Sequence, residues 1–186
     1  MFTDDHSRMR WGVPIKTEDA TAEALHALVQ EVADPAGLCI ENIRCDRGPE
    51  FTGRFQALCV SLGIVIETNA PYIPEGNAIA ERGFGTIMVT TRRLLLGTPH
   101  LPGRLWVEAF KATIYIKNRT PTDVLEGKAS LDVWEDKPLG NMQHIHDWGA
   151  LAFKQEKARF RPNKMAARVK KMHPVGYNTK RRSYRL

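Results

Sequence analysis

Apolar residues recur every three or four positions in four stretches of the chain, with polar residues between them. This spacing places the apolar side chains on one face of a helix, so each stretch predicts an amphipathic helix. The predicted helices cover residues 20–33, 50–62, 77–97 and 104–117. The buried side of the third helix is predicted to consist of Ala80, Phe84, Ile87, Met88, Thr91 and Leu95, and that of the fourth of Trp106, Ala109, Phe110, Thr113 and Ile114.

The boundaries of these helices follow from residues that start or stop helical backbone. Asp34-Pro35 is expected to end the first helix, because the residue before a proline is disfavoured in helical conformation. Asn77 is suited to cap the start of the third helix, and Gly97 is suited to end it. Strands are predicted between the helices, at residues 9–15, 38–45 and 63–67.

Two acidic residues occupy positions that such a succession of elements could bring together. Asp46 directly follows the predicted strand 38–45, and Glu81 lies near the start of the helix 77–97. The 34 residues between them are enough for one helix and one short strand. A chain with 21 acidic residues contains many pairs at such a separation, so the surrounding motifs must decide what this pair means.

Those motifs form an ordered series along nearly the whole chain. The segments are DDHSR (4–8), RCDRGPEF (44–51), NAPYIPEGNAIAER (69–82), LWVEA (105–109), YIKNRTPT (115–122) and VGY (175–177). In the same order they resemble segments of integrases from copia-type long-terminal-repeat retrotransposons. RCDRGPEF is similar to the family's "SDNGGEF", and the segment 69–82 is similar to its "PY-P-QNG-AER" signature.

The resemblance implies an α/β fold of the ribonuclease H-like type, a mixed sheet flanked by helices. It also implies a polynucleotidyl transferase that joins element DNA ends to target DNA with two Mg²⁺ ions, for which Mn²⁺ could substitute. Clamping the attacking and leaving oxygens of a phosphodiester requires such hard cations, and Asp and Glu oxygens are their preferred ligands. Three carboxylates hold the metals in the family, and Asp46 matches the second and Glu81 the third.

The first carboxylate of the family lies on a strand upstream of the segment that matches residues 4–8. The sequence begins at Met1, so this strand is expected to be missing. Asp4 or Asp5 could replace the ligand only if the core rearranged. Departures at Arg47, Pro49, Gly76 and Ala78, together with one residue fewer between the two acids, leave two hypotheses: an integrase, or an inactive remnant that only binds nucleic acid.

Contacts to DNA are predicted in two parts of the chain. Asn77 and Arg82, which belong to the matched signature, and Arg92 are candidates. Arg92 lies eleven positions after Glu81 and within about 20° of its direction, whereas Arg82 points elsewhere on the helix. The alternative is that these are solvated charges. A basic C-terminal extension, residues 153–186, contains 12 Lys or Arg and one acidic residue, Glu156. Its candidates for phosphate contacts are Lys170, Lys171, Arg181 and Arg182.

The predicted organisation is therefore a catalytic core over residues 1–125, a linker region over 126–152 and the basic extension over 153–186. Aromatic residues of the extension could stack on bases or anchor it to the core; they are Phe153, Phe160, Tyr177 and Tyr184. The resemblance further implies a homo-oligomer acting on DNA in the nucleus. No membrane partner is expected, and Cys39, Cys45 and Cys59 are interpreted as reduced thiols.

Overall fold

A computed structural model of the chain describes residues 1–17, 20–68, 77–138, 140, 142–157, 161–163, 165–178 and 183–186. The chain forms two compact units. The first comprises residues 1–3 and 11–84, and the second comprises residues 4–10 and 85–186. No helix among the described residues is long and apolar enough to cross a membrane.

Helices and short strands alternate through the chain, which confirms the predicted α/β class. The helices are α1 (Thr21–Leu28), α2 (Asp34–Ala36), α3 (Arg54–Ser61), α4 (Ala78–Gly97), α5 (Trp106–Lys117) and α6 (Ser130–Glu135). The strands are β1 (Phe2–Thr3), β2 (Arg10–Trp11), β3 (Asn42–Cys45), β4 (Val65–Thr68), β5 (Pro121–Thr122), β6 (Lys128–Ala129), β7 (Ala152–Gln155), β8 (Val169–Met172), β9 (Gly176–Asn178) and β10 (Ser183–Arg185). In the described part they pair as five two-stranded sheets, each joining one strand to the next in chain order. The pair β3–β4 is parallel, and β5–β6, β7–β8 and β9–β10 are antiparallel.

The core of the first unit lies where α1 and α3 pack beside β3 and β4. Its fully buried side chains include Leu25 of α1 with Phe55 and Cys59 of α3, as the apolar spacing predicted. Phe2 and Trp11 pack against the same cluster from β1 and β2. Burial of side chains of this size contributes roughly 1.5–3 kcal/mol each, so this cluster fixes the sheet β3–β4 in position.

The first helical stretch ends later than predicted, because Pro35 does not stop it. A π-helical turn, Val29–Ala33, follows α1, and the short helix α2 then contains Pro35 in its first turn. A proline at the start of a helical segment loses no hydrogen bond, since the first N–H groups have no partner within the helix. Gly37, in the left-handed conformation with φ of 66°, ends the stretch instead.

The predicted helix 50–62 is divided into two parts. A 3₁₀ turn, Pro49–Phe51, precedes α3, and Gly53 stands between them with φ of 54° and ψ of −110°. Glycine adopts such a backbone conformation readily because it has no β-carbon. This break at Gly53 therefore separates the segment after β3, which contains Asp46 and Glu50, from helix α3.

The core of the second unit forms between the C-terminal part of α4, helix α5 and Trp148. Ala109, Ala112 and Trp148 are buried, and Leu94 and Leu95 pack against them. The hydroxyl groups of the buried residues Thr91 and Thr113 lie 3.2 Å apart, which links α4 to α5.

Two of the core residues predicted on the third and fourth helices are exposed. Phe84 is 47% exposed, because the buried stripe of α4 runs through Gly83, Ile87 and Thr91, and the next residue points about 100° away from that stripe. Trp106 is 48% exposed because it is the first residue of α5, one turn before the buried residues begin at Ala109.

Candidate functional site

Asp46 stands at the carboxyl end of the parallel pair β3–β4. The register pairs Cys45, the last residue of β3, with Thr68, the last residue of β4. Cys45 is buried, whereas Asp46 is exposed, so the backbone is fixed by the core while the carboxylate projects from it. The Gly48 N–H donates to Asp46 Oδ1 over 3.2 Å, which holds the carboxylate in a tight turn.

A second carboxylate, Glu50, folds back over the same turn. Its carboxyl group occupies the place where a β-carbon at position 48 would lie, so any larger residue there would require the Glu50 side chain to turn away. Burial raises the pKa of the Cys45 thiol, and the charges of Asp46 and Glu50 raise that pKa further. The sequence analysis had not singled out Glu50, although its position four residues after Asp46 and beyond a Gly-Pro pair could have indicated a turn.

Glu81 lies in the first turn of α4 and is exposed. Asn77 directly precedes this helix, in agreement with its predicted place at the helix start, and Gly97 is the last helical residue. Asp46 and Glu81 belong to the same compact unit. Residues 69–76, the first part of the second motif, lie outside the described part of the chain.

The acidic side chains of this region match Mg²⁺ in donor type but not in number. Carboxylate oxygens are the donors that this cation prefers, so Asp46 and Glu81 match it in kind. Within the described ranges no group of three or more His, Cys, Asp or Glu side chains is placed to hold a metal ion. The two carboxylates thus fit the metal by donor type and supply fewer than three ligands.

Asp4 and Asp5, the possible replacements for a third ligand, take part in local structure. Asp4 Oδ2 accepts hydrogen bonds from the backbone N–H and the hydroxyl of Ser7, each over 2.7 Å. Asp5 forms an ion pair with Arg8 over 2.7 Å. Both acids stabilise the turn between β1 and β2, as carboxylates at a strand boundary commonly do.

The predicted DNA contacts of the first region lie along α4. Arg82 and Arg92 are exposed, one in its first turns and the other near its C-terminal part, and Asn77 is partly buried. The structure therefore presents both arginines to solvent. Their contact with phosphate stays a prediction.

In the basic extension, Lys170 and Lys171 lie on β8 and are exposed, while Arg181 and Arg182 lie outside the described residues. Strand β8 pairs with β7 in the register Phe153 with Lys171 and Lys154 with Lys170. Residues that pair across antiparallel strands share a face, and neighbouring residues of one strand point to opposite faces. Lys154 and Lys170 therefore lie side by side on one face, and Lys171 lies on the other.

The hairpin β9–β10 is built into the second unit. Tyr177 stacks on Tyr115 of α5 with ring centroids 4.3 Å apart and planes inclined by 10°, and its hydroxyl donates to the carbonyl of His146 over 2.8 Å. The Tyr184 hydroxyl donates to the carbonyl of His144 over 2.7 Å. These two tyrosines of the extension thus anchor it to α5 and to the segment around residue 145.

The histidine pair of that segment takes part in the same packing. The His144 side chain hydrogen-bonds through Nε2 to the Tyr115 hydroxyl over 2.8 Å, and the His146 ring lies against Tyr184 with centroids 5.6 Å apart. The sequence H-x-H could have suggested a metal site. Its observed contacts are those of a structural aromatic cluster.

Residues 1–74 match the family described as Integrase core domain (rve). The chain is 34% identical over 156 residues to the "Retrovirus-related Pol polyprotein from transposon TNT 1-94" of Nicotiana tabacum, a match covering 82% of this chain and 11% of the polyprotein. It is 29% identical over 126 residues to the corresponding protein from transposon RE1 of Arabidopsis thaliana, covering 68% of this chain and 8% of that protein.

Among solved structures, the HTLV-2 integrase catalytic core domain in complex with magnesium, in its trimeric form, superimposes with a TM-score of 0.54. The identity is 24%, and the match covers 70% of this chain and 80% of that one, so this likeness concerns the fold. It confirms the predicted ribonuclease H-like class. The sequence matches confirm the resemblance to retrotransposon integrases. Residues 1–74 therefore match the integrase core domain family, and the chain is homologous to a segment of retrotransposon Pol polyproteins.

Proposed function

We propose that this chain is the integrase segment of a copia-type retrotransposon polyprotein, which joins element DNA ends to target DNA with Asp46 and Glu81 as catalytic metal ligands. The chain covers about a tenth of the TNT 1-94 polyprotein, 11% of its length, so the activity of the whole protein is part of this proposal. DNA integration is the function of the family that residues 1–74 match, and the similarity to retrotransposon polyproteins supports it at that level. The two-metal mechanism and the choice of ligands are the finer parts of the proposal.

The observation that supports it is the exposure of Asp46 at the end of a parallel strand pair whose other strand leads towards Glu81. Parallel strands end at the same edge of a sheet, and irregular segments after strand ends position reactive groups on a rigid scaffold. Cys45, buried directly before Asp46, fixes that edge to the core. Asp46 is thus exposed at an edge that the core holds in place, which supports its proposed role as a ligand.

The proposed reaction is an in-line displacement at phosphorus. A 3′-hydroxyl oxygen of the element DNA attacks a target phosphodiester, one P–O bond forms as another breaks, and the leaving 3′-oxygen takes up a proton. No phosphodiester bond is lost overall, so no external energy source is required. Two Mg²⁺ ions, or Mn²⁺ in their place, would supply charge neutralisation at the attacking and leaving oxygens. Asp46 and Glu81 would orient the reacting DNA ends by supplying two of the oxygen ligands.

The proposal is tested by strand transfer with the full chain, labelled element-end DNA and Mg²⁺. Joined product is expected with the unmodified chain and is expected to fall to background with Glu81→Gln or Asp46→Asn. Glu67→Gln is the matched control, because Glu67 is an exposed glutamate on β4 outside the proposed site. Its carboxylate lies 3.0 Å from the guanidinium of Arg44 on β3. Product that persists with Glu81→Gln would remove Glu81 from the site.

The second candidate function is that of an inactive relative that only binds nucleic acid. It is favoured by the finding that the described residues contain no group of three metal-ligating side chains, since a two-metal site with two carboxylates holds its cations poorly. Absence of joined product from the unmodified chain, together with salt-dependent DNA binding, would support this candidate. Truncation before Phe153 is unsuitable for locating that binding, because it would also remove Tyr177 from the core.

The partners and location of the chain follow from the same proposal. The HTLV-2 integrase core is described in a trimeric form, and homo-oligomerisation of this chain on DNA is proposed by analogy. Action on chromosomal DNA would place the protein in the nucleus. Sedimentation with and without duplex DNA measures the first point, and imaging of a tagged chain measures the second.

A further inference from the structure

The hairpin β7–β8 contains an arrangement that is unfavourable in the free protein. Lys154 and Lys170 are directly paired across the two strands, so their β-carbons lie about 4.5–5.5 Å apart. Like charges in that arrangement destabilise a sheet. Both side chains are exposed, and within the described part of the chain neither takes part in an ion pair.

Within the described residues, no ion pair joins either lysine to a neighbour on that face. The next pair towards the loop is Glu156 with Arg168, whose backbones are joined by a 2.8 Å hydrogen bond from the Glu156 N–H to the Arg168 carbonyl. Glu156 thus lies directly opposite Arg168. The preceding pair on the face, Ala152 with Met172, carries no charge and is partly buried.

The opposite face has a different composition. It presents Phe153, 62% exposed, beside Lys171, followed by Gln155 beside Val169. This face therefore carries the single cation Lys171, whereas the first face carries the adjacent cations Lys154 and Lys170. An anion that contacts two ammonium groups at once is bound more strongly than one that contacts a single group.

We propose that Lys154 and Lys170 form a phosphate clamp in which both ammonium groups converge on one phosphate of duplex DNA. This inference rests on the DNA-binding part of the proposed function and adds the face and the residues through which binding occurs. A two-stranded antiparallel ribbon is narrow enough to lie along a DNA groove with one face towards the backbone. The negative charge of the phosphate offsets the repulsion between the two lysines. The pairing that is unfavourable in the free protein therefore becomes favourable when DNA is bound.

The test is a titration of the full chain with a short fluorescein-labelled duplex, followed by anisotropy between about 0.05 and 0.2 M salt. Lys154→Gln and Lys170→Gln are each expected to weaken binding about 8-fold at 0.1 M salt and to lower the salt slope by about 0.9, as loss of one phosphate contact does. The double variant is expected to bind more weakly than either single variant but by less than the product of the two single losses, because both lysines serve one phosphate. Lys171→Gln, a charge-matched change on the other face, is expected to alter affinity less than about twofold.

Several outcomes would overturn the clamp. Equal losses with Lys171→Gln would show that the extension binds through its overall charge, and multiplied losses in the double variant would show two separate phosphates. A lowered thermal midpoint in Lys154→Gln or Lys170→Gln would assign the lysines to folding, whereas relief of repulsion predicts an unchanged or raised midpoint. Failure of the unmodified chain to bind duplex DNA would reject the underlying DNA-binding function as well, and is distinct from these results.

Discussion

The two hairpins of the C-terminal extension have similar sequence character and opposite surroundings. Both β7–β8 and β9–β10 are short antiparallel pairs within a strongly basic segment. In β7–β8, Phe153 and the paired lysines point into solvent. In β9–β10, Tyr177 packs into the core around Trp148, and the Trp148 Nε1–H donates to the Val175 carbonyl over 2.8 Å.

This difference shows that the shared positive charge of residues 153–186 does not give the two hairpins the same role. The hairpin β9–β10 is a structural part of the second unit, tied to α5 by aromatic stacking and by the ion pair between Arg185 and Glu108. Gly176 is part of that attachment, because a β-carbon there would lie 2.9 Å from the Arg185 Nε. The exposed hairpin β7–β8 is therefore the better candidate for contacts outside the chain.

The largest expected effect that separates the hairpins concerns their aromatic residues. Tyr177→Ala should lower the free energy of unfolding by about 3 kcal/mol, since it removes a packed ring together with a hydrogen bond. Phe153→Ala should change it by less than about 0.5 kcal/mol, because that ring is largely exposed. Urea denaturation followed by tryptophan fluorescence measures both values. Similar losses for the two variants would contradict the assignment of one hairpin to the core and the other to the surface.

A smaller effect is expected for the ion pair of β9–β10. The side chains of Arg185 and Glu108 are 39% and 25% exposed, so solvent screens their attraction only in part. A double-mutant cycle with Arg185→Gln and Glu108→Gln should give a coupling energy of about 1 kcal/mol.

The more exposed pair Arg44–Glu67, with side chains 51% and 45% exposed, provides the matched control cycle. Its coupling energy should be about 0.3 kcal/mol. Equal coupling in the two cycles would mean that the Arg185–Glu108 contact adds nothing to the anchoring of the hairpin beyond a surface ion pair.

Much of the fold could be predicted because helical periodicity reports on a buried face. The stripe through Leu25 and Leu28 and that through Phe55 and Cys59 both form the observed core. The predictions were wrong at residues whose conformation or exposure depends on their place within a helix as well as on the apolar spacing. Pro35 is tolerated because a π-helical turn precedes it, and Trp106 is exposed because of its position at the first turn of α5.

The candidate site was predictable to the extent that motifs specify it. Asp46 lies at a strand end and Glu81 in the first turn of a helix, as predicted from the sequence. The fold-back of Glu50 over Gly48 depends on a side-chain conformation that spacing does not encode. The pairing of Lys154 with Lys170 depends on strand register across a 13-residue connection, which composition cannot determine.

The smallest of the three effects concerns alkaline pH and tests how Tyr177 of the anchored hairpin β9–β10 is packed. Burial raises the pKa of Tyr177; the hydrogen bond to the His146 carbonyl lowers that pKa, and the nearby Tyr184, Tyr115 and Asp147 raise it. In the unfolded chain the tyrosine pKa is about 10. Because the folded pKa is the higher one, the contribution of this group to stability is fully present below pH 10 and is lost as the pH rises through the folded pKa.

Tyr177→Phe should therefore reduce the fall in the urea midpoint above pH 10. Tyr184→Phe is the comparison variant. It also removes a tyrosine hydroxyl that donates to a backbone carbonyl, but it leaves Tyr177 buried and removes only the Tyr184 contribution to the raised pKa of Tyr177. The two buried thiols, Cys45 and Cys59, have pKa values raised by burial and add an alkaline loss of their own, which is common to both variants and cancels in their difference. Identical alkaline profiles for the two variants would mean that the Tyr177 hydroxyl is not desolvated against α5, and the anchoring would then rest on ring stacking and the Arg185–Glu108 pair.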